Sequence, residues 1–260
     1  MLSVRRLGAA VGAVALAASV FAAEIPRAER RSGYDFMSSQ TRAMQDDDTA
    51  NPGMLWVLEG ESLWNRKIGA AGRACADCHG EARASMKGVA ARHPSFDAAQ
   101  GRPVNLEQRI NRCRIDRQKA PPLAYESRDL LALTAYVARQ SRGLPIDLAI
   151  DSRAQPFLDA GGATFRRRQG QLNLACNQCH DDNWGRRLAG NVIPQAHPTG
   201  YPLYRLEWQS LGSLQRRLRN CLAGIRAEPY EYGAPELVEL ELYLMWRARG
   251  MTIEAPAVRP

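Results

Sequence analysis

The 260-residue sequence contains few of the residues and patterns that would point to most common functions. Beyond its first two dozen residues it has no apolar run long enough to cross a bilayer, which excludes a transmembrane helix in the body of the chain. Histidine is scarce, at four residues: His79, His93, His180 and His197. No Cys or His ligands recur at structural-zinc spacing outside two short clusters, which argues against a zinc module. The second half has no methionine between His180 and Met245. Charge is not extreme either. The formal net charge is +8, or +6 without Arg5 and Arg6. That balance suits acidic partners or small anions and gives no reason to expect nucleic acid.

Two arginines in MLSVRR, the short apolar run LGAAVGAVALAASVF and the small residues of FAAE have the layout of a secretory signal peptide, residues 1–23, cleaved after Ala22 or Ala23. Export places the mature chain of about 237 residues in the periplasm, with length for two small domains. Six cysteines in that oxidising compartment would ordinarily form three disulfides.

Four of them do not fit that expectation. Cys75-Ala-Asp-Cys78-His79 and Cys176-Asn-Gln-Cys179-His180 are both C-x-x-C-H, the attachment signature of c-type haem. Two intervening residues let one turn of chain present both sulfurs to one porphyrin edge, and the histidine that follows is carried beneath the iron. Two such motifs predict two covalently bound haem c groups, with Cys75, Cys78, Cys176 and Cys179 as attachment sites and His79 and His180 as iron ligands.

The motifs lie 101 residues apart, and their flanks repeat with them. Gly60-Glu-Ser-Leu-Trp64 and Gly161-Gly-Ala-Thr-Phe165 each open 15 residues before the first cysteine of their motif. LEQRINRC ends at Cys113 and LQRRLRNC at Cys221. Leu130, Leu133 and Val137, and then Leu237, Leu240 and Leu244, give each unit a closing segment with helical spacing. Each unit therefore reads as helix, haem loop, helix, helix, an order that resembles class I cytochrome c domains. The expected fold is mostly α, with an N-terminal extension over 24–55, a first cytochrome c domain over 56–150 and a second over 151–260, joined by a linker from Leu144 to Pro156.

Cys113 and Cys221 occupy equivalent places. Leu106, Ile110 and Cys113 are spaced i, i+4, i+7, as are Leu214, Leu218 and Cys221, which puts each cysteine on the apolar face of its helix and aims it at a haem. Arg109 and Arg217 stand one turn earlier. A nearby guanidinium favours a thiolate, and a thiolate within reach of haem iron binds it. Spacing alone leaves two other arrangements open: ligation by His93 and His197, or a disulfide between Cys113 and Cys221. Methionine is the weakest candidate, because Met86 follows His79 by only seven residues.

The two C-x-x-C-H motifs, a lone cysteine after each, the Arg-rich helix RRLRNC and the N-terminal run GYDFMSSQTRAMQDDDTANPGMLWV together resemble the SoxA family, the dihaem subunits of the SoxAX cytochromes of bacterial sulfur oxidation. That resemblance implies His/Cys ligation of both haems, with Cys113 and Cys221 as the sulfur ligands. It implies a monohaem SoxX-like partner in a heterodimer and L-cysteine S-thiosulfotransferase activity, in which thiosulfate is coupled oxidatively to a cysteine of the carrier SoxYZ. It further implies that the second haem is the catalytic one, that Cys221 can carry a persulfide, and that Arg217 binds the substrate anion. Arg216, Arg217 and Arg219 have a plainer reading as propionate or solvent contacts. The rival function is a dihaem electron-transfer cytochrome that forms no bonds.

Overall fold

A computed structural model describes residues 25–188 and 190–260. The expected signal peptide lies outside them. The N-terminal segment begins with two short 3₁₀ turns, Arg27–Glu29 and Gly33–Phe36, and then α1 (Ser39–Asp46), whose first turn is capped by Ser38 Oγ accepting from the Thr41 N–H at 3.2 Å.

The first unit comprises α2 (Met54–Asn65), the short haem-loop helices α3 (Ala76–His79) and α4 (Ala82–Ser85), α5 (Leu106–Cys113) and α6 (Arg128–Arg139). A hairpin, β1 (Ser95–Asp97) with β2 (Arg102–Val104), leads into α5, pairing Ser95 with Val104. The second unit repeats the plan with α7 (Gln155–Arg166), α8 (Cys176–His180), α9 (Leu214–Gly224) and α10 (Pro235–Arg247). The predicted order of helix, haem loop, helix, helix therefore holds in both halves.

The repeated glycines explain how each unit closes. A Cβ on Gly60 would collide with the carbonyl oxygen of Ala132 in α6, and one on Gly161 with that of Glu239 in α10. Glycine lets the first and last helices of each unit cross with their backbones nearly touching. Around the first crossing Val57, Trp64, Leu131, Ala135 and Tyr136 form one core; around the second Leu158, Phe165, Leu240, Tyr243 and Leu244 form another.

Short strands add what helical periodicity could not forecast. The pair β3 (Arg187–Leu188) and β4 (Asn191–Val192) follows the second haem loop. A three-stranded sheet of order β6-β5-β7 joins β5 (Leu203–Arg205) antiparallel to β6 (Ser210–Gly212) and parallel to the C-terminal β7 (Ala257–Arg259). The N-terminal segment packs on that sheet: Gln45 Oε1 accepts the Val258 N–H at 3.1 Å, and Asn51 Nδ2 donates to the Pro256 carbonyl at 2.9 Å. The expected linker is tightly held, since Ile146 is buried and its N–H donates to the Met251 carbonyl at 2.8 Å. It is a spacer in sequence and an integral piece of the packed structure in space.

Candidate functional site

In the second unit, α8 is a single turn that carries Cys176, Cys179 and His180 together. Nδ1 of His180 lies 2.6 Å from the Pro194 carbonyl oxygen, which can only accept, so Nδ1 carries a proton and donates, leaving Nε2 as the ring nitrogen not engaged by the backbone. From the opposite side α9 brings Cys221, which is hydrogen-bonded to His180. Both residues line a cavity of about 410 Å³. Apolar walls come from Val192, Ala196, Leu218 and Leu244, and Phe36 and Met37 of the N-terminal segment close one side.

Removal from water alone would push the Cys221 thiol up. The hydrogen bond with His180 and the positive charges of Arg217 and Arg205 outweigh it, and the thiol sits below its ordinary value. Burial pushes Cys176 up to about 12, with Cys221 adding to the effect, so the attachment thiol and the candidate ligand are close neighbours. An imidazole and a sulfur that line one cavity, with two attachment thiols beside that sulfur, form a donor set that fits haem c.

In the first unit three cysteines come together. Cys113 interacts with both Cys75 and Cys78, and Gln118 Nε2 reaches Cys75 Sγ at 3.7 Å. His79 lies against Trp64, with ring centroids 5.7 Å apart, and the Trp64 indole N–H donates to the Gly80 carbonyl at 3.1 Å. Here burial pushes the Cys113 thiol up, and Arg109 and Arg117 only partly offset it. All six cysteines are free, and Cys113 and Cys221 sit in separate units, each beside its own C-x-x-C-H motif. They do not form a disulfide.

Of the two histidine rivals, His93 is engaged at both ring nitrogens and His197 at one. His93 Nδ1 lies 2.8 Å from the Val89 carbonyl and Nε2 3.3 Å from Ser95 Oγ. His197 shares the cavity of Cys221, but its Nδ1 lies 2.9 Å from the Arg31 carbonyl, and burial holds its pKa down to about 4.

The arginines, equivalent in sequence, diverge in space. Arg109 Nη1 is paired with Asp97 Oδ2 at 3.0 Å. Arg217 lines the cavity beside Cys221, and among the described residues its guanidinium makes no ion pair or hydrogen bond. Arg216 lies over the Trp208 ring at 4.2 Å and 3.8 Å from Glu126, and Arg219 donates to the Tyr230 carbonyl. Arg187, Arg205 and Arg259 also line the cavity, and no Asp or Glu side chain among the described residues does. Sequence reading missed Arg205 and the Pro194 carbonyl: the first stands where the other unit has Asp97, so no repeated arginine marks it, and a backbone oxygen has no residue signature.

The family model described as "SoxA/TsdA, cytochrome c domain" matches residues 59–146 and 160–253. The L-cysteine S-thiosulfotransferase subunit SoxA of Pseudaminobacter salicylatoxidans is 39% identical over 235 residues, covering 90% of this chain and 82% of that protein. The corresponding subunit of Rhodovulum sulfidophilum is 38% identical over 89% of this chain and 80% of its own length. The crystal structure of SoxXA from P. pantotrophus matches with a TM-score of 0.86 at 32% identity, covering 89% of this chain and 87% of that one. Cytochrome c domains hold haem c covalently, as the paired C-x-x-C-H clusters require. With both units matched by one family model and nine-tenths of its length aligned to curated subunits, the chain belongs to the SoxA family.

Proposed function

We propose that this chain is the dihaem subunit of a periplasmic L-cysteine S-thiosulfotransferase that couples thiosulfate oxidatively to a cysteine of a SoxYZ-like carrier. Its bound partner is a SoxX-like monohaem cytochrome, a reading supported by the relative of known structure, which is described as SoxXA. The observation that carries the proposal is the uncompensated Arg217 beside Cys221, in a cavity lined by four arginines and no Asp or Glu side chain among the described residues.

Thiosulfate is a small dianion. The Arg217 guanidinium donates paired N–H groups to the sulfonate oxygens and leaves the outer sulfur free. Arg205, whose own charge is felt by Arg217, deepens the positive potential. Cys221, whose thiol His180 and Arg217 bias toward the thiolate, forms a sulfur–sulfur bond to that outer sulfur as its proton passes to solvent and two electrons leave. The carrier thiol then attacks the adduct, giving up its proton to solvent, taking the thiosulfonate group and returning Cys221 as thiolate. A persulfide on Cys221 would act in the same way, with the reacting atom displaced outward by a single sulfur. Haem c would be held covalently by Cys75 and Cys78 and by Cys176 and Cys179, with His79, Cys113, His180 and Cys221 as the iron donors, and would supply one-electron acceptance.

The test is carrier modification by thiosulfate, followed by mass spectrometry, in wild type and in Arg217→Ala. Loss of coupling with both haems retained supports the proposal. Coupling at the wild-type rate in Arg217→Ala contradicts it.

A further inference from the structure

The two units meet at the N-terminal ends of the helices that carry Cys113 and Cys221, and two carboxyl groups are buried there. Glu107, in the first turn of α5, is 9% exposed, and Glu241, midway along α10, is 6% exposed. Both line one cavity of about 60 Å³, along with Asn105, His93 and Thr134, a space large enough for ordered water. Asn105 Nδ2 donates to Glu241 Oε1 at 3.2 Å, crossing from one unit to the other, and the Tyr125 hydroxyl donates to Asn105 Oδ1 at 3.3 Å. Gln215, in the first turn of α9, is 1% exposed; its Oε1 accepts the Gly233 N–H at 2.7 Å. Its Nε2 meets no partner within full hydrogen-bonding geometry and faces Glu241.

Neither Glu107 nor Glu241 has an ion pair among the described residues. The other charged or titratable groups around them are spoken for. Glu126 accepts the Ser213 N–H at 3.3 Å and lies 3.8 Å from Arg216. Arg102 donates to Gln100 Oε1 at 2.8 Å. Burial lowers the His93 pKa and raises those of the Tyr125 and Tyr201 hydroxyls. Two neighbouring carboxyl groups withdrawn from water without a cation cannot both ionise at ordinary cost.

We propose that Glu107 and Glu241 form a proton-binding site bridging the two units, which holds one proton in the oxidised protein and takes a second when an electron enters. The balance is simple: thiosulfate oxidation supplies the electron, one proton leaves solvent water for a carboxylate oxygen, and no bond between heavier atoms changes at the carboxyl pair. Burial raises both carboxyl groups out of their usual range, so they exchange protons nearer neutrality. Six residues of helix, a rise of about 9 Å, separate Glu107 from Cys113, and Gln215 is equally far from Cys221. Over that distance a unit charge is felt in a poorly solvated interior. The inference rests on the reading that both units hold haem.

Redox titration of the holoprotein from about pH 6 to about pH 9 tests it, in wild type, Glu107→Gln and Glu241→Gln. In wild type the midpoint potential of at least one haem falls as pH rises, by up to about 59 mV per pH unit, the limit for one proton per electron. In both variants that slope is lost while the haem spectra stay unchanged. Redox-difference infrared spectroscopy reads the proton directly, as a protonated-carboxyl stretch that grows on reduction in wild type and is missing from the variants. Equal slopes in wild type and haem-replete variants overturn the proposal. Should a variant fail to retain haem, absence of the carboxyl band in wild type overturns it independently. A wild-type protein without two titrating haems would instead remove the functional reading on which the site depends.

Discussion

Arg109 and Asp97 form an ion pair at 3.0 Å, with the Asp97 side chain only 8% exposed, whereas Arg217, at the matching position of the second unit, has no such carboxylate among the described residues. The same helix position is therefore spent on structure in one half and left available to an anion in the other. Arg217→Ala should lose about 1.5–3 kcal/mol of thiosulfate transition-state binding, roughly 10- to 100-fold in kcat/KM, with little spectral change. Arg109→Ala should keep coupling near wild type and lower thermal stability by up to about 1 kcal/mol, since the lost pair is partly exposed and Asp97 still accepts the Ala99 and Gln100 N–H groups. Steady-state kinetics and melting curves on the two variants check this, and equal activity losses would contradict it.

The convergence of Cys113 on Cys75 and Cys78 makes it the candidate sixth ligand of the first haem. Cys113→Met should change the absorption spectrum of one haem while both remain covalently attached. An unchanged spectrum in a variant with two haems by intact mass would refute ligation by Cys113.

The helix crossing at Gly161 leaves no room for a methyl group against the Glu239 carbonyl. Gly161→Ala should destabilise the second unit by about 1–3 kcal/mol through overpacking. Gly224, in the last turn of α9, would place a Cβ in open space, so Gly224→Ala should be neutral or stabilising by up to about 1 kcal/mol. Thermal melts of the two variants separate a steric requirement at the crossing from a general sensitivity to losing glycine.

Burial raises the folded-state pKa of Glu241 above its unfolded value. The folded protein then binds more protons than the unfolded chain between those two values, so stability falls as pH rises through the interval. It is fully present below the ordinary carboxylate range and lost into the neutral range. Glu241→Gln, which can still accept from Asn105, should flatten that segment of the stability–pH curve. A curve with the same slope as wild type would show that Glu241 ionises normally.

Much of this arrangement is legible in the sequence. The C-x-x-C-H spacing, the paired glycines 15 residues upstream and the helical placement of Cys113 and Cys221 depend on local geometry, and local geometry is written in consecutive residues. What escapes is set by chain reversal and tertiary contact. Asp97 reaches Arg109 only because the β1–β2 hairpin folds back beside α5. Pro194 orients His180 through a backbone oxygen that any residue would supply. Leu144 to Pro156 has linker composition, yet Ile146 is buried by the C-terminal segment, a contact over a hundred residues away. The short strands carry too few residues for a two-residue period to be seen.

The central claim is that Cys221 is both a sulfur ligand and the nucleophile that receives thiosulfate, and Cys221→Ala tests it most directly. Carrier modification by thiosulfate is measured by mass spectrometry with the purified complex, alongside absorption spectra and intact mass. The account predicts two attached haems, an unaltered first haem, a changed second haem and no thiosulfonate on the carrier. Carrier modification at the wild-type rate in Cys221→Ala would contradict it and leave an electron-relay cytochrome as the surviving reading.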